Sequence, residues 1–332
     1  MRIVVTGGAG YIGSHTARLL AKQGHDVLIY DSLSRGHRRA AELAVGSGRL
    51  VEGDLLDEDR LDHALLAHRA EAVVHFAAYA LVGESVARPE IYWRNNVGGT
   101  LALLRCMARQ KVAHIVFSST CAVYGEPDGA DIVESLPKAP VNAYGETKLA
   151  SEWALAAHAR AHGIGATALR YFNAAGADLD GRLGEDHDPE THLIPLAIDA
   201  VALQGKELKV FGTDWPTPDG TCIRDYVHVA DLAEAHALAL ATSRSGVFRA
   251  INLGTGRGAS VREVIDMVAA VTGKPVPHTA APRRSGDPCR LVAGAGLAGP
   301  ELGWVPRFSD LRTIVSTAWE WRRKHPRGYR SA

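Results

Sequence analysis

A tyrosine and a lysine four residues apart, Tyr144 and Lys148, are residue types suited to proton transfer at an alcohol. At this spacing two helical side chains lie on the same face. A free tyrosine titrates at about 10, so it is a poor base at neutral pH unless its phenolate is stabilised. A nearby ammonium, an oxidised nicotinamide ring and the first turn of a helix would all favour the phenolate. We therefore predict that the pKa of Tyr144 is lowered towards neutrality, as a general base requires.

A run of hydroxyl side chains precedes this pair at residues 118–120. A hydroxyl at the carboxyl end of a strand can hold the reacting oxygen beside the base. We predict Thr120 for that role, with Ser119 as the alternative, although such a cluster alone is more often a simple strand end. Cys121 follows, but no histidine lies near it in sequence, which argues against a nucleophilic cysteine.

Three glycines near the start of the chain, Gly7, Gly10 and Gly13, lie between a β-branched run and a segment with helical spacing. Glycines at such a junction permit a tight turn, close approach of the backbone to a pyrophosphate and close packing of the helix on the strand. The helix N-terminus also favours the anion. This pattern predicts a dinucleotide site.

Acidic residues end the second and third strand-like segments at Asp31 and Asp54. A carboxylate at Asp31 can accept hydrogen bonds from a ribose 2′-hydroxyl and repels a 2′-phosphate, so NAD is favoured over NADP. The arginines at 35, 38 and 39 keep NADP open as an alternative. Asp54 could contact the adenine amino group, or could simply end a strand in a turn.

These residues need a scaffold, and the first half of the chain alternates strand-like and helix-like segments. The predicted strands are residues 2–6, 26–30, 49–51, 72–76, 114–118 and 166–172, and the predicted helices are residues 11–23, 58–68, 95–109 and a helix capped by Asn142 that runs to about His162. Continuous apolar strands joined by helical crossovers predict an α/β fold with a doubly wound parallel Rossmann sheet.

The regular alternation fails after Asn173. Residues 181–189 and 212–220 are rich in Gly, Pro and Asp, residues 281–287 form a basic loop, and Ser260 with Glu263 forms a capping box for a helix to about residue 271. We predict a cofactor domain over residues 1–172. Residues 173–332 mainly form a smaller substrate-binding lobe, with some segments returning to the first domain.

Composition excludes several classes of protein. Lys and Arg number 37, as do Asp and Glu, and this balance disfavours a nucleic-acid or membrane binder. The four cysteines form no C-x-x-C pair, so no zinc site or disulfide framework is indicated, and we predict no metal. We expect a cytoplasmic enzyme, because reduced thiols fit that compartment and no signal segment opens the chain.

Blocks in a defined order along the chain resemble the extended short-chain dehydrogenases/reductases, and within them the UDP-glucose 4-epimerase group of UDP-sugar 4-epimerases. The blocks are residues 7–15 (GGAGYIGSH), 75–78 (HFAA), 82–85 (VGES), 144–148 (YGETK), 170–173 (RYFN), 219–226 (DGTCIRDY), 252–256 (NLGTG), 283–287 (RRSGD) and 325–329 (HPRGY).

The resemblance implies inversion at C4 of UDP-glucose and UDP-galactose through a transient 4-keto sugar. Tyr144 would exchange the proton of the 4-hydroxyl while tightly bound NAD shuttles the hydride, so NAD is a bound catalyst. It also implies galactose metabolism and a homodimer joined through helices near residues 95–110 and 143–162.

The resemblance also completes the predicted site. Catalytic residues are Tyr144, Lys148 and Thr120. Cofactor-binding residues are Gly7, Gly10, Tyr11, Ile12, Gly13, Asp31, Asp54, Leu55, Phe76, Ala77, Ala78, Asn96, Ser118, Tyr144, Lys148 and Tyr171. Substrate-binding residues are Thr120, Asn173, His192, Leu193, Phe211, Arg224, Arg284 and Asp287. Arg224 and Arg284 match diphosphate-binding arginines, Asp287 a ribose contact, and Phe211 the segment that packs on uracil.

Three departures from the family pattern matter. Ala80 stands where many relatives place a cofactor-contacting lysine, and His192 replaces a substrate-contacting asparagine. Leu291 is intermediate in size at a position that gates the sugar, so N-acetylated or pentose UDP-sugars stay open.

Three other functions fit the sequence less well. A nucleotide-sugar 4,6-dehydratase would need an Asp-Glu pair after Thr120, where this chain has Cys121 and Ala122. An NADP-linked reductase would favour a basic residue at position 31. A redox-sensing module that only binds NAD need not keep Tyr144, Lys148 and Thr120 together.

Overall fold

The computed structural model describes residues 1–127, 131–284 and 287–330. The strands are β1 Arg2–Thr6, β2 Asp26–Asp31, β3 Leu50–Glu52, β4 Ala72–His75, β5 His114–Thr120, β6 Gly165–Tyr171, β7 Asn173–Ala175, β8 Leu208–Phe211, β9 Ile223–His228, β10 Phe248–Leu253, β11 Gly258–Ser260, β12 His278–Ala281 and β13 Arg290–Leu291. The α-helices are α1 Tyr11–Lys22, α2 Arg38–Val45, α3 Glu58–His68, α4 Val82–Ala87, α5 Pro89–Tyr92, α6 Gly99–Gln110, α7 Ala143–His162, α8 Leu193–Ala202, α9 Val229–Ala241, α10 Val261–Thr272, α11 Ala298–Leu302 and α12 Leu311–Lys324.

A seven-stranded sheet in the order β10-β6-β5-β4-β1-β2-β3 forms the centre of the protein, and every neighbouring pair in it is parallel. Alternate strand residues face opposite sides, so Ile3 and Val5 pack in one buried cluster while Val4 packs in another. Helices α1, α2 and α9 cover the first side, and α3, α6 and α7 cover the second. The predicted doubly wound α/β fold is confirmed.

The strand register brings the carboxyl ends of several strands to one edge of the sheet. Thr6 is paired with Tyr30 and with His75, and Thr120 is paired with Tyr171. Ligands of open parallel sheets bind outside this edge, where the strand order changes direction. The order here changes direction between β1 and β4, immediately beside the glycine loop.

A smaller four-stranded sheet contains β11, β9 and β13 in this order, with β7 also paired to β9. A separate two-stranded sheet pairs β12 with β8. Helices α8, α10 and α12 pack around a separate buried cluster that contains Ile194, Val264 and Ile314. Elements later than Asn173 nevertheless return to the large sheet, since β10 pairs with β6 and α9 packs on α1. The division of function between residues 1–172 and 173–332 stays a prediction.

Most predicted elements lie within two residues of the observed ones, since caps and apolar runs are local signals. Helices α3 and α7 match the predicted bounds, Asn142 caps α7 by accepting a hydrogen bond from Gly145 N, and the Ser260–Glu263 capping box is present. The single helix predicted over residues 95–109 is wrong in detail. A π-helical segment, Trp93–Gly98, precedes α6 there.

Within the described residues, the structure holds no helix that is both long enough and apolar enough to cross a bilayer. Of the predicted basic loop 281–287, Ser285 and Gly286 lie outside the described residues.

Candidate active site

A cleft of about 460 Å³ opens at the carboxyl edge of the large sheet. One wall comes from the strand ends of that sheet and the other from strands and loops of the smaller lobe. The predicted site residues that line it are Gly7, Gly10, Tyr11, Ile12, Gly13, Asp31, Asp54, Leu55, Phe76, Ala77, Ala78, Ser118, Thr120, Tyr144, Lys148, Tyr171, Asn173, His192, Arg224 and Asp287. Residues far apart in sequence are thus brought to one cavity.

The glycine loop has room for no side chain at two of its three predicted positions. Gly7 has φ +72°, and a Cβ there would lie 2.4 Å from Ala77 N. A Cβ on Gly13 would lie 2.2 Å from Gly7 O, so only glycine lets α1 pack this closely. Gly10 is the N-cap of α1 and supplies no side-chain cap, which leaves the first N–H groups of the helix available to an anion.

Asp31 lies beside this loop and is 8% exposed. Its carboxylate accepts hydrogen bonds from Ala9 N at 2.9 Å and Leu33 N at 2.8 Å, while burial raises its pKa. The three arginines that left NADP open each contact a glutamate, Arg35 with Glu84, Arg38 with Glu52 and Arg39 with Glu42. A carboxylate therefore contacts the glycine loop directly, whereas each of these arginines is paired with a glutamate.

Tyr144 lies in the first turn of α7, where the Asn142 cap fixes the direction of the helix. Burial raises the pKa of Tyr144 to about 12, and the neighbouring Thr120 hydroxyl lowers it by a smaller amount. The protein groups alone therefore raise this pKa, opposite to the predicted lowering, because burial is the largest effect. The part of that prediction that rests on an oxidised nicotinamide ring stays a prediction.

Lys148 is 2% exposed, and its Nζ donates a hydrogen bond to Ser118 O at 2.7 Å. The Nζ lies 5.9 Å from the centroid of the Tyr144 ring. Burial lowers the pKa of Lys148 to about 7, with a small opposing effect of Glu152. The amine therefore gains and loses its proton near neutral pH, next to the tyrosine.

The two candidate hydroxyls have different surroundings. Ser119 is fully buried behind the wall, and its Oγ donates to Glu152 at 2.6 Å. Glu152 is also paired with the buried Arg170, which donates to Tyr124 Oη at 2.8 Å. Thr120 lines the cleft and accepts a hydrogen bond from Ala122 N. Thr120 is therefore the hydroxyl placed beside Tyr144.

Cys121 is buried, and this burial raises the pKa of its thiol to about 12. The thiolate is the reactive form, so the environment argues against nucleophilic chemistry at neutral pH.

We call the side of the cleft that carries Arg224, Asp287 and Leu291 the far wall. It is held by the buried Asp225, whose carboxylate accepts hydrogen bonds from the backbone N–H groups of residues 255, 256 and 293. This network fixes the strand that carries Arg224. The guanidinium of Arg224 lies 3.8 Å from Asp287, and Asn173 donates to the carbonyl of Asp225 at 3.1 Å.

Four predicted residues do not line the cleft within the described part of the chain. Asn96 is 2% exposed and bonds the backbone N–H and carbonyl of Tyr79. Leu193 begins α8 and packs on the smaller core. The guanidinium of Arg284 stacks on Phe211 at 3.8 Å from the ring centroid. Asn96 is placed to orient the Tyr79 segment, and the other three lie outside the wall.

The cleft is also lined by residues that were not predicted as part of the site, including two groups. Tyr79 and Arg35 line the cleft together, with the guanidinium 4.6 Å from the ring centroid. His187 and Asp188 line the opposite side. A spacing of Glu185-x-His187-x-x-Glu190-x-His192 was visible in the sequence and could have indicated the second group.

Comparison with known proteins agrees with this geometry. The model of the NAD dependent epimerase/dehydratase family matches residues 3–254. A UDP-glucose 4-epimerase of Corynebacterium glutamicum is 50% identical, with 96% of this chain and 95% of that protein covered. A UDP-glucose 4-epimerase of Halalkalibacterium halodurans is 49% identical, with 99% and 98% covered.

The crystal structure of UDP-glucose 4-epimerase from Brucella ovis in complex with NAD is 51% identical and superposes with a TM-score of 0.90. That match covers 96% of this chain and 97% of the other. The chain therefore belongs to the NAD dependent epimerase/dehydratase family.

Proposed function

We propose that the protein is an NAD-dependent UDP-glucose 4-epimerase, which interconverts UDP-glucose and UDP-galactose. The observation that carries this proposal is a cleft with Tyr144, Lys148 and Thr120 on one wall and Arg224 and Asp287 on the other. The likeness to UDP-glucose 4-epimerases along almost the whole chain supports it.

The glycine loop, the uncapped start of α1 and Asp31 fit a dinucleotide that carries a free ribose 2′-hydroxyl. When bound there, NAD would supply reversible hydride transfer at C4 of the sugar. Because the net redox change is zero, NAD would be regenerated within each cycle.

Tyr144 accepts the proton of the sugar 4-hydroxyl as C4 is oxidised and gives it back after the 4-keto sugar has turned. The phenolate is costly in this buried position, so the positive charges near it decide how basic it is. Lys148 supplies one of these charges when protonated. Thr120 holds the reacting oxygen by hydrogen bonding.

The far wall grips the nucleotide and leaves the sugar free to rotate. A guanidinium fork suits a diphosphate, and Arg224 presents one that is 13% exposed towards the cleft. Asp287 is placed to accept hydrogen bonds from the nucleotide ribose. Leu291 lines the same cavity, so its size limits the substituents that the sugar can carry.

The test is to incubate the purified full-length protein with UDP-galactose and no added NAD. UDP-glucose should form without net NADH, and deuterium placed at C4 should be retained in the product. Loss of the label to solvent would rule out hydride return. A 4-keto-6-deoxy product would instead indicate a dehydratase, which the buried, neutral Cys121 next to Thr120 disfavours.

The choice of sugar is tested by comparing kcat/KM for UDP-galactose, UDP-N-acetylgalactosamine and UDP-arabinose. We propose UDP-galactose as the preferred substrate and galactose metabolism as the setting. Equal or higher values for the N-acetylated sugar would contradict this preference and point to a more open gate at Leu291.

We also propose a cytoplasmic homodimer joined through the segments near residues 95–110 and 143–162. Trp153 on α7 is 66% exposed and Trp93 is 42% exposed, an uncommon state for large aromatic side chains. The four cysteines are free, as a reducing compartment favours. Light scattering at micromolar concentration tests the dimer, and a monomer mass would refute it.

A further inference from the structure

The loop between Gly181 and His192 gathers four side chains that the proposed chemistry does not use as a group. Glu185, His187, Glu190 and His192 each contribute one donor atom, and these atoms all lie within 4.8 Å of one another. All four come from one short stretch of chain that ends at the N-terminus of α8. The Glu-x-His-x-x-Glu-x-His spacing therefore brings the four donor atoms into one cluster.

Two of the separations between donor atoms are close to those around a tetrahedral metal ion. His187 Nδ1 lies 3.2 Å from Glu185 Oε1 and 3.5 Å from Glu190 Oε2, and His192 Nδ1 lies 3.8 Å from Glu190 Oε1. Ligands about 2.0–2.2 Å from zinc at tetrahedral angles are roughly 3.3–3.6 Å apart. His192 Nδ1 contacts Glu185 Oε1 directly, so the His192 side chain must move away from that oxygen by on the order of 1 Å to admit the ion.

The two carboxylates of the cluster are largely removed from water, whereas the imidazoles face the cleft. The side chains of Glu185 and Glu190 are 6% and 14% exposed, and those of His187 and His192 are 30% and 49% exposed. Glu190 Oε1 accepts hydrogen bonds from the backbone N–H groups of Thr191 at 2.7 Å and His192 at 2.8 Å, which orients its carboxylate. The Tyr11 ring stands edge-on to His187.

The charge of the donor set suits a dication. With both imidazoles neutral, as metal ligands must be, the two carboxylates leave a charge of −2, which a divalent ion would cancel. The neighbouring acids are engaged elsewhere, since Asp186 accepts from Tyr329 N and contacts His37, while Asp188 contacts Arg330. A set of two nitrogen and two oxygen donors suits zinc better than magnesium, which prefers oxygen ligands in octahedral geometry.

We propose that Glu185, His187, Glu190 and His192 bind one divalent transition-metal ion, with zinc the best match. The ion joins the loop to the start of α8. His187 and His192 line the substrate cleft as well, so the ion sets the shape of this part of the far wall. The sequence prediction of no metal rested on cysteine spacing, which this donor set does not use.

The test uses the full-length protein, stripped with a chelator and then dialysed against zinc chloride. We expect one zinc ion per chain by elemental analysis, and a visible absorption band of tetrahedral type when cobalt(II) replaces zinc. Zinc should also raise the melting temperature of the wild-type chain, whereas the same concentration of magnesium should not.

His187→Asn should weaken zinc binding by more than about 100-fold, since loss of a residue that merely orients a metal ligand costs about 10–100-fold. Glu190→Gln serves as a second variant if the first fails to fold. His158→Asn is the matched control, because His158 and His162 form a surface pair with ring centroids 5.3 Å apart that could bind zinc nonspecifically.

Absence of bound zinc in the wild-type chain after dialysis would overturn the proposal and leave the four side chains as an ion-paired cluster. Loss of zinc in His158→Asn but not in His187→Asn would also overturn it and assign the metal to the surface pair. These readouts do not depend on epimerase activity, so the metal site and the proposed function can fail separately.

Discussion

The two walls of the cleft are built in different ways. The near wall consists of adjacent strand ends and the start of α1, so Gly7, Asp31 and Thr120 are positioned by backbone register and close packing. The far wall consists of short strands and loops from separate parts of the chain, such as β9 with Arg224 and the loop with Asp287, tied together by side chains such as Asp225. The near wall is thus fixed by the fold itself, whereas the far wall depends on a few polar contacts.

The two walls also differ in the charge of their side chains. On the near wall, burial raises the pKa of Tyr144 and lowers that of Lys148, so neither group holds a stable charge. On the far wall, Arg224 lies near Asp287, and charges face one another. The near wall is suited to groups that exchange protons, and the far wall to binding a charged nucleotide.

Tyr144→Phe is the sharpest way to test the role of the near wall. The variant should lose about 10²- to 10⁴-fold in kcat, the usual contribution of a general base, because only the proton-accepting oxygen is removed. UDP binding, measured by calorimetry, should change little, since the far wall is untouched. A kcat within a few-fold of wild type would show that another group is the base.

Much of the near wall could be predicted from the sequence because its signals are local. The glycines, the acidic strand end at Asp31 and the Asn142 cap each depend on residues a few positions apart. The choice between Ser119 and Thr120 needed the structure, because Glu152, which binds Ser119, lies on another element. The direction of the Tyr144 pKa shift also could not be predicted, because the burial that raises this pKa exists only in the packed molecule.

The far wall was less predictable because its contacts join distant segments. Arg224 and Asp287 were identified through resemblance to known blocks, and Phe211 and Arg284 were predicted in the same way but stack on each other outside the wall. No local pattern reveals that Asp225 holds residues 255, 256 and 293 together.

The pH dependence of stability tests the burial of Lys148. Its folded pKa of about 7 lies below its usual value of 10.5, so the unfolded chain binds more protons between these values and stability rises with pH across that window. The shift corresponds to a penalty of about 4–5 kcal/mol that is full below pH 7 and is relieved by pH 10.5.

The Lys148→Met variant has no titratable amine at this buried position. It should therefore exceed the wild type in unfolding free energy at pH 7, and the difference should shrink towards pH 10. Denaturant unfolding of both proteins at several pH values measures this, and other titrating groups cancel in the difference. A difference that does not change with pH would mean that the amine is not desolvated.

Arg224→Gln tests the far wall in isolation. Loss of a charged fork that binds a diphosphate should raise KM about 10- to 100-fold, with a much smaller change in kcat. Arg307→Gln is the control, because Arg307 is 61% exposed, does not line the cleft and pairs with Glu234. Steady-state kinetics measures KM and kcat of both variants. An equal rise in KM for both would assign the change to net charge rather than to a binding contact.

The smallest expected effect compares the helix caps of the two lobes. Asn142 caps α7 and Asp310 caps α12, each by accepting a hydrogen bond from a backbone N–H three residues on. Replacing either with Ala should lower the unfolding free energy by about 1 kcal/mol. Asn142→Ala should also lower kcat a few-fold, since Tyr144 lies in the turn that the cap orients, whereas Asp310→Ala should leave kcat unchanged. If both variants kept full activity at equal cost in stability, the direction of α7 would be set by its packing alone, and the cap would contribute nothing to the chemistry of the near wall.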